Sequence, residues 1–193
     1  EFRRVLFRSD AAGEAFDKVG RMLGLPYPGG PAIAAAADRA TRHDLRFPRA
    51  WLDGTWDFSF SGLKTAARRA VESLGGDPAG TLPGLPAAAV DELAWAFQEA
   101  VVDVLAVKTL RAAAERSVRS VIIAGGVAAN RRLRERLAEG TAALGIPLIA
   151  PRPGLCTDNG AMIGAAGWRR FLAGVRAGPD LDAVPSLRMA AGR

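Results

Sequence analysis

The stretch SVIIAGGVAANRRLRERL, residues 120–137, decides the fold. Ser120 to Ala124 is a short, continuous apolar run bounded by Gly125 and Gly126, the pattern of a buried, parallel strand. Ala129 to Glu139 then reads as a helix. The two glycines let the backbone turn sharply at the strand's C-terminal end, where open α/β sheets bind their ligands. The helix that follows offers unpaired N–H groups to an anionic or polar ligand. Asn130 lies in the first turn, where its amide can both donate to and accept from a nucleoside. An ordinary βα turn with Asn130 as a local cap accounts for the same residue.

Working outward, Pro147–Ala150 reads as a second strand and Asn159–Leu172 as a helix. The second half is therefore β-α-β-α, an α/β layer architecture with strands flanked by helices. Between the last strand and helix lies CTDNGA, residues 156–161. Asp158 there is a candidate metal ligand or general base, while Thr157 or Asp158 as a plain helix cap is the competing reading. Cys156 reads as a small buried hydrophobe, because no histidine lies nearby in sequence to lower its pKa.

Upstream, Val90, Leu93, Ala94, Phe97, Val101, Val104 and Leu105 form one apolar stripe on a helix that runs to about Arg116. Ala11–Leu23 and Pro31–Arg42 are further helices, separated by a tight loop at Pro26, Pro28, Gly29 and Gly30. Trp56, Phe58 and Phe60 alternate with Asp57 and Ser59, which predicts a strand, and a helix runs from Ser61 through Glu72. Glu14 and Asp17 sit at i and i+3 on one helix face, able to accept from ribose hydroxyls or to pair with Lys18 and Arg21 in solvent. Ser61 and Lys64 have the S-x-x-K spacing of serine acyl-enzymes, without the accompanying elements, so a helix start with an exposed lysine is the plainer account. His43 reads as a surface residue. Arg131, Arg132, Arg134 and Arg136 spread over more than one face of their helix and read as a solvated face rather than an RNA-binding stripe.

With 193 residues, 49% of them hydrophobic and 24% charged, a disordered tail, a collagen-like chain and a disulfide scaffold are excluded. No apolar run reaches the length of a membrane-spanning helix. One cysteine precludes an internal disulfide, which fits a reducing cytoplasm. One histidine precludes a cluster of histidine ligands. The net charge of +6 suits a polyanionic partner, but three of its arginines and one glutamate lie in residues 1–9, and the excess weakens to +4 without them. Glu1–Ser9 (EFRRVLFRS) matches the translation of a sequencing-adaptor oligonucleotide and is expected to be a non-native junction. Residues 188–193 are expected to be a loose tail.

Five ordered blocks, GEAFDKVGRMLGLPYPGGP, FPRAWLDGTWDFSFSGLKT, AFQEAVVDVL, IIAGGVAANRRLR and APRPGLCTDNGAMIGAAG, together resemble the tRNA N6-adenosine threonylcarbamoyltransferase family, also known as the glycoprotease (TsaD/Gcp) family. The resemblance spans residues 10–187 and matches the C-terminal portion of a family protein. It implies an actin-like ATPase (ASKHA, ribonuclease H-like) lobe, with a mixed sheet flanked by helices and a helical insertion. It also implies cytoplasmic transfer of threonylcarbamoyl from threonylcarbamoyl-adenylate to N6 of the adenosine next to the anticodon of tRNA, with partner subunits of the TsaB and TsaE type. By the same resemblance, Asp17, Gly30 and Asn130 contact the nucleoside part of the adenylate. Asp158 matches the aspartate ligand of a single Fe(2+) or Zn(2+). The family's H-x-x-x-H ligand pair has no counterpart here, so the chain alone is expected to be inactive. A non-catalytic, partner-binding lobe and, more remotely, a serine hydrolase or peptidase using Ser61 and Lys64 are the alternatives.

Overall fold

The computed structural model describes residues 12–52, 54–79, 84–179 and 181–182. Their element order is α1 (Ala12–Met22), α2 (Gly29–Ala37), α3 (Ser61–Ser73), α4 (Ala87–Glu115), β1 (Val121–Ile122), α5 (Arg131–Ala143), β2 (Leu148–Ile149) and α6 (Gly160–Leu172). Short 3-10 turns at Gly126–Ala129 and Pro153–Leu155 follow the two strands. The chain is α/β, mostly helical, with a small parallel sheet. It divides into two compact units between Thr157 and Asp158. The expected junction at residues 1–9 and tail at 188–193 lie outside the described residues.

Helix α4 organises the first unit. Its sequence is rich in alanine, leucine and valine, and Pro86 stands just before its first residue. The stripe read from the sequence is buried apart from half-buried Leu105, but so are Val102 and Ala106 on the opposite face. A helix apolar on several sides is a central one, and α4 packs against α2, α3 and α5. On one side Phe97 meets Phe16 of α1 edge to face, with ring centroids 5.2 Å apart and an interplanar angle of 87°. That cluster gathers Val19, Ile33, Leu63, Val71 and Val101 from α1 to α4. On the other side, Val102 and Ala106 join Leu133 and Leu137 of α5 in a second cluster that reaches Ile123 and Leu148 of the sheet region.

Arginines fasten the loops to the polar edges of α4. Arg39 grips Asp91 through two bonds of 3.2 and 2.6 Å. Arg49 grips Asp103 at 3.1 and 2.7 Å, and Arg136 reaches the other Asp103 oxygen at 3.3 Å. Arg132 of α5 holds Glu99 in the same forked way. The Glu99 hydrogen bond raises the Arg132 pKa, with partial burial opposing it. The face of α5 expected to be solvated is therefore largely engaged: Arg131 also pairs with Asp38 and Glu135.

Three expectations are corrected. Trp56–Phe60 forms no strand. The buried ammonium of Lys108 on α4 takes the carbonyls of Thr55 at 3.3 Å and Asp57 at 2.6 Å, so this backbone is spent on a helix side chain rather than on a ladder. Helix α2 begins at Gly29, not Pro31, because the Asp17 carboxylate of α1 accepts the Gly29 N–H at 2.8 Å. It ends at Ala37 rather than near Arg42, since Arg39 is drawn across to Asp91. The sheet, expected to be larger and mixed, is among the described residues a parallel pair of two-residue strands, Val121 beside Leu148 and Ile122 beside Ile149. Val121 is buried whereas Ile122 is 70% exposed, because within this unit helix α5 covers one face of the pair.

Candidate functional site

Two places in the first unit gather the residues singled out above. The first is the junction of α1 and α2. Gly20 and Gly29 bring the helices together: a Cβ on Gly29 would stand 2.4 Å from the Phe16 carbonyl oxygen and 2.6 Å from Asp17 Cα. That approach puts the Asp17 carboxylate at the start of α2, where the unpaired N–H groups and the helix dipole favour a negative charge. Beside it lies an open cleft of about 320 Å³ lined by Glu14, Asp17, Lys18, Arg21, Leu25, Pro26, Tyr27 and Gly29. Lys18 pairs with Glu14 along α1. Asp17 thus has one oxygen occupied by Gly29 and faces the cleft, while Gly30, next in the chain, has open space where a side chain would be. Asp17 and Gly30, the two residues that the resemblance implies as nucleoside contacts, both lie at the α1–α2 junction of the first unit.

The second place is the C-terminal end of β1 and β2. Gly125 has φ +87° and ψ 169°, a conformation essentially confined to glycine, and it aims the 3-10 turn at α5. Asn130 caps α5: its Oδ1 accepts from Leu133 N at 3.0 Å, and its Nδ2 donates to Gln98 Oε1 of α4 at 2.8 Å. Both ends of the amide have protein partners, so Asn130 ties the loop to α4 as well as capping the helix. Replacing Asn130 with alanine is expected to cost about 1–2 kcal/mol through loss of the cap and a partly buried bond. Urea denaturation followed by circular dichroism measures it.

Arg134 is the residue that the sequence reading missed here. One turn into α5, its Nε donates to the Ala128 carbonyl, and one terminal nitrogen reaches the Pro151 carbonyl at 2.7 Å and Cys156 Sγ at 3.2 Å. Cys156 itself is buried, as expected for a small hydrophobe. A charged residue following an apolar one near a helix start carries no sign of such a role, because its partners are backbone carbonyls of another loop.

Asp158 opens the second unit, ahead of α6. The cap expected of Thr157 or Asp158 is supplied instead by Asn159, whose Oδ1 accepts from Met162 N at 3.0 Å. Among the described residues no three His, Cys, Asp or Glu side chains come together as a set able to hold a metal ion. The residues described do not by themselves fit a metal centre. His43 is exposed and its ring packs tilted against Trp95, with centroids 4.5 Å apart and planes at 37°. Ser61 is the first residue of α3, as the helix-start reading has it. No described helix is long and apolar enough to cross a membrane.

A helix-rich α/β unit with an acidic side chain at a helix start, beside an open cleft, is suited to a polar small molecule. The comparisons with known proteins are more specific. Residues 3–165 match the family described as "TsaD: tRNA N6-adenosine threonylcarbamoyltransferase", and the chain belongs to that family. It is 49% identical over 183 residues to the tRNA N6-adenosine threonylcarbamoyltransferase of Dehalococcoides mccartyi, covering 93% of this chain and 51% of that protein. The corresponding protein of Desulfitobacterium hafniense is 49% identical over 186 residues, covering 95% and 52%. The chain therefore spans about half the length of these relatives. Among solved structures, HypF of T.kodakarensis superposes with a TM-score of 0.58 over 86% of this chain and 20% of that one, at 22% identity, a likeness of fold alone.

Proposed function

We propose that this chain supplies the adenylate-binding portion of a transferase that moves threonylcarbamoyl from threonylcarbamoyl-adenylate to N6 of the adenosine next to the tRNA anticodon. The family match over residues 3–165 carries the proposal. In this reading the chain is a lobe of actin-like ATPase (ribonuclease H-like) fold with a helical insertion. It works in the cytoplasm on tRNA, with subunits of the TsaB and TsaE type. The N6 amino nitrogen of the adenosine attacks the carbamoyl carbon and gives up a proton to solvent, the carbon–oxygen bond to phosphate breaks, and AMP leaves. The chain's part is to hold the nucleoside of that leaving group, through Asp17, Gly30 and Asn130.

The geometry at α1 and α2 supports this division of labour. An Asp17 oxygen held by Gly29 N–H keeps the carboxylate in one orientation, and its charge is stabilised at the helix start, so it can accept from ribose hydroxyls without reorganising. Gly30 leaves room for a ring or sugar to lie against the backbone. Asn130 would act through its loop or by exchanging its bond to Gln98 for one to the ligand.

AMP is the stable probe. Titration calorimetry of the purified chain with AMP is expected to show one site, and Asp17→Asn is expected to weaken it about tenfold. The asparagine keeps an oxygen for Gly29 N–H but loses the charge, a difference on the order of 1.5 kcal/mol for a charged hydrogen bond. Absence of AMP binding to the parent chain, or an unchanged affinity in Asp17→Asn, overturns the adenylate-binding reading.

A further inference from the structure

We infer that Arg134 is a positioning residue that locks the loop ahead of Asn130 to the loop that leads into Asp158. The inference rests on the proposed adenylate-binding role only for its ligand-binding consequence; the lock itself stands on geometry. The guanidinium is partly buried and its partners lie 6, 17 and 22 residues away in sequence. Two of them, the Ala128 and Pro151 carbonyls, are backbone groups in the segments that follow β1 and β2, Ala128 within the 3-10 turn. Strands of only two residues give these loops little ladder to hang from. A planar fork with several donors in fixed directions can serve both carbonyls and the thiol at once, which a lysine ammonium on a flexible stem cannot reproduce in the same plane. The bond to Cys156 Sγ closes the far side of the lock, and Cys156 in turn donates to the Arg152 carbonyl at 3.6 Å.

The neighbouring Arg132 supplies the control. It is on the same helix, is partly buried and holds Glu99 with two bonds, but touches neither loop. Loss of either arginine removes a comparable charged fork, so an effect peculiar to Arg134 reports the lock rather than general loosening of α5.

Cys156 is the chain's sole cysteine and is 5% exposed, so its reaction with Ellman's reagent reads the position of the 151–156 loop directly. Arg134→Gln and Arg134→Lys are expected to speed labelling at least tenfold with unchanged far-ultraviolet circular dichroism, while Arg132→Gln stays within twofold of the parent chain. In the same set, AMP affinity is expected to fall about fivefold in Arg134→Gln and to hold in Arg132→Gln. Labelling in Arg134→Gln that stays within twofold of the parent, or that rises equally in Arg132→Gln, overturns the lock. Faster labelling confined to the Arg134 variants, with no AMP binding by the parent chain, upholds the lock and removes the adenylate reading alone. Faster labelling with AMP affinity unmoved in Arg134→Gln overturns the claim that the lock serves the nucleoside site.

Discussion

Gly29→Ala is expected to destabilise the first unit by about 3 kcal/mol, among the largest effects of any single methyl group in the chain. A Cβ at this position would lie 2.4 Å from the Phe16 carbonyl oxygen, 2.8 Å from its carbon and 2.6 Å from Asp17 Cα. All three are backbone atoms, so no side chain can rotate to make room, and α1 and α2 must part. Overpacking that shifts backbone costs about 1–3 kcal/mol, sometimes more. The shift also takes the Asp17 carboxylate from the Gly29 N–H. The expected result is a lower urea midpoint together with loss of AMP binding. Gly30→Ala, one residue on and in open space, is expected to leave the midpoint almost unchanged. Equal stability of Gly29→Ala and the parent chain would contradict the close approach of the two helices.

Phe97→Ala is expected to cost about 3–5 kcal/mol, the range for deleting a fully buried aromatic ring. Phe97 has no exposed surface and stands edge-on to Phe16 of α1 in the main core cluster. Its neighbours Ala94, Ala96 and Ala100 are too small to close the cavity, so relaxation recovers little. With total stabilities of domains commonly about 5–15 kcal/mol, the variant is expected to be partly unfolded at room temperature. Chemical denaturation reads the loss. A change below 1 kcal/mol would mean that the α1–α4 contact is not central to the core. Leu105→Ala, on the half-buried edge of the same helix, should cost much less.

Much of the helical framework was legible because α-helices announce themselves locally. The stripe from Val90 to Leu105 is a 3.6-residue pattern that needs nothing beyond its own segment. The same holds for α1, with Phe16 and Val19 pointing inward, and for the glycine turn between β1 and α5. The alternation at Trp56, Phe58 and Phe60 yields no strand for a physical reason. A strand exists only if a second strand accepts its hydrogen bonds, and here Lys108, about 50 residues away, takes those carbonyls. The start of α2 is hidden from local pattern for a related reason: its first N–H is taken by Asp17 on another helix, not by the residues just before it.

The candidate site divides along the same line. Asp17, Asn130 and Asp158 are candidates from short local patterns of helix faces, caps and strand ends, whereas Gly30, and the nucleoside and metal roles of all four, come only from the resemblance of the ordered blocks to the family. That Asp17 is held by Gly29 beside a cleft, that Asn130 also grips Gln98, and that Arg134 fastens two loops could not be named from any such pattern. These contacts join residues 12 to 32 positions apart, and sequence periodicity carries information only over a turn or two of chain. The order of residues alone therefore settled the family and the helices, which depend on local spacing. Folding settled which polar groups meet, because hydrogen bonds and ion pairs between distant segments exist only once the α1–α4 and α4–α5 cores have packed.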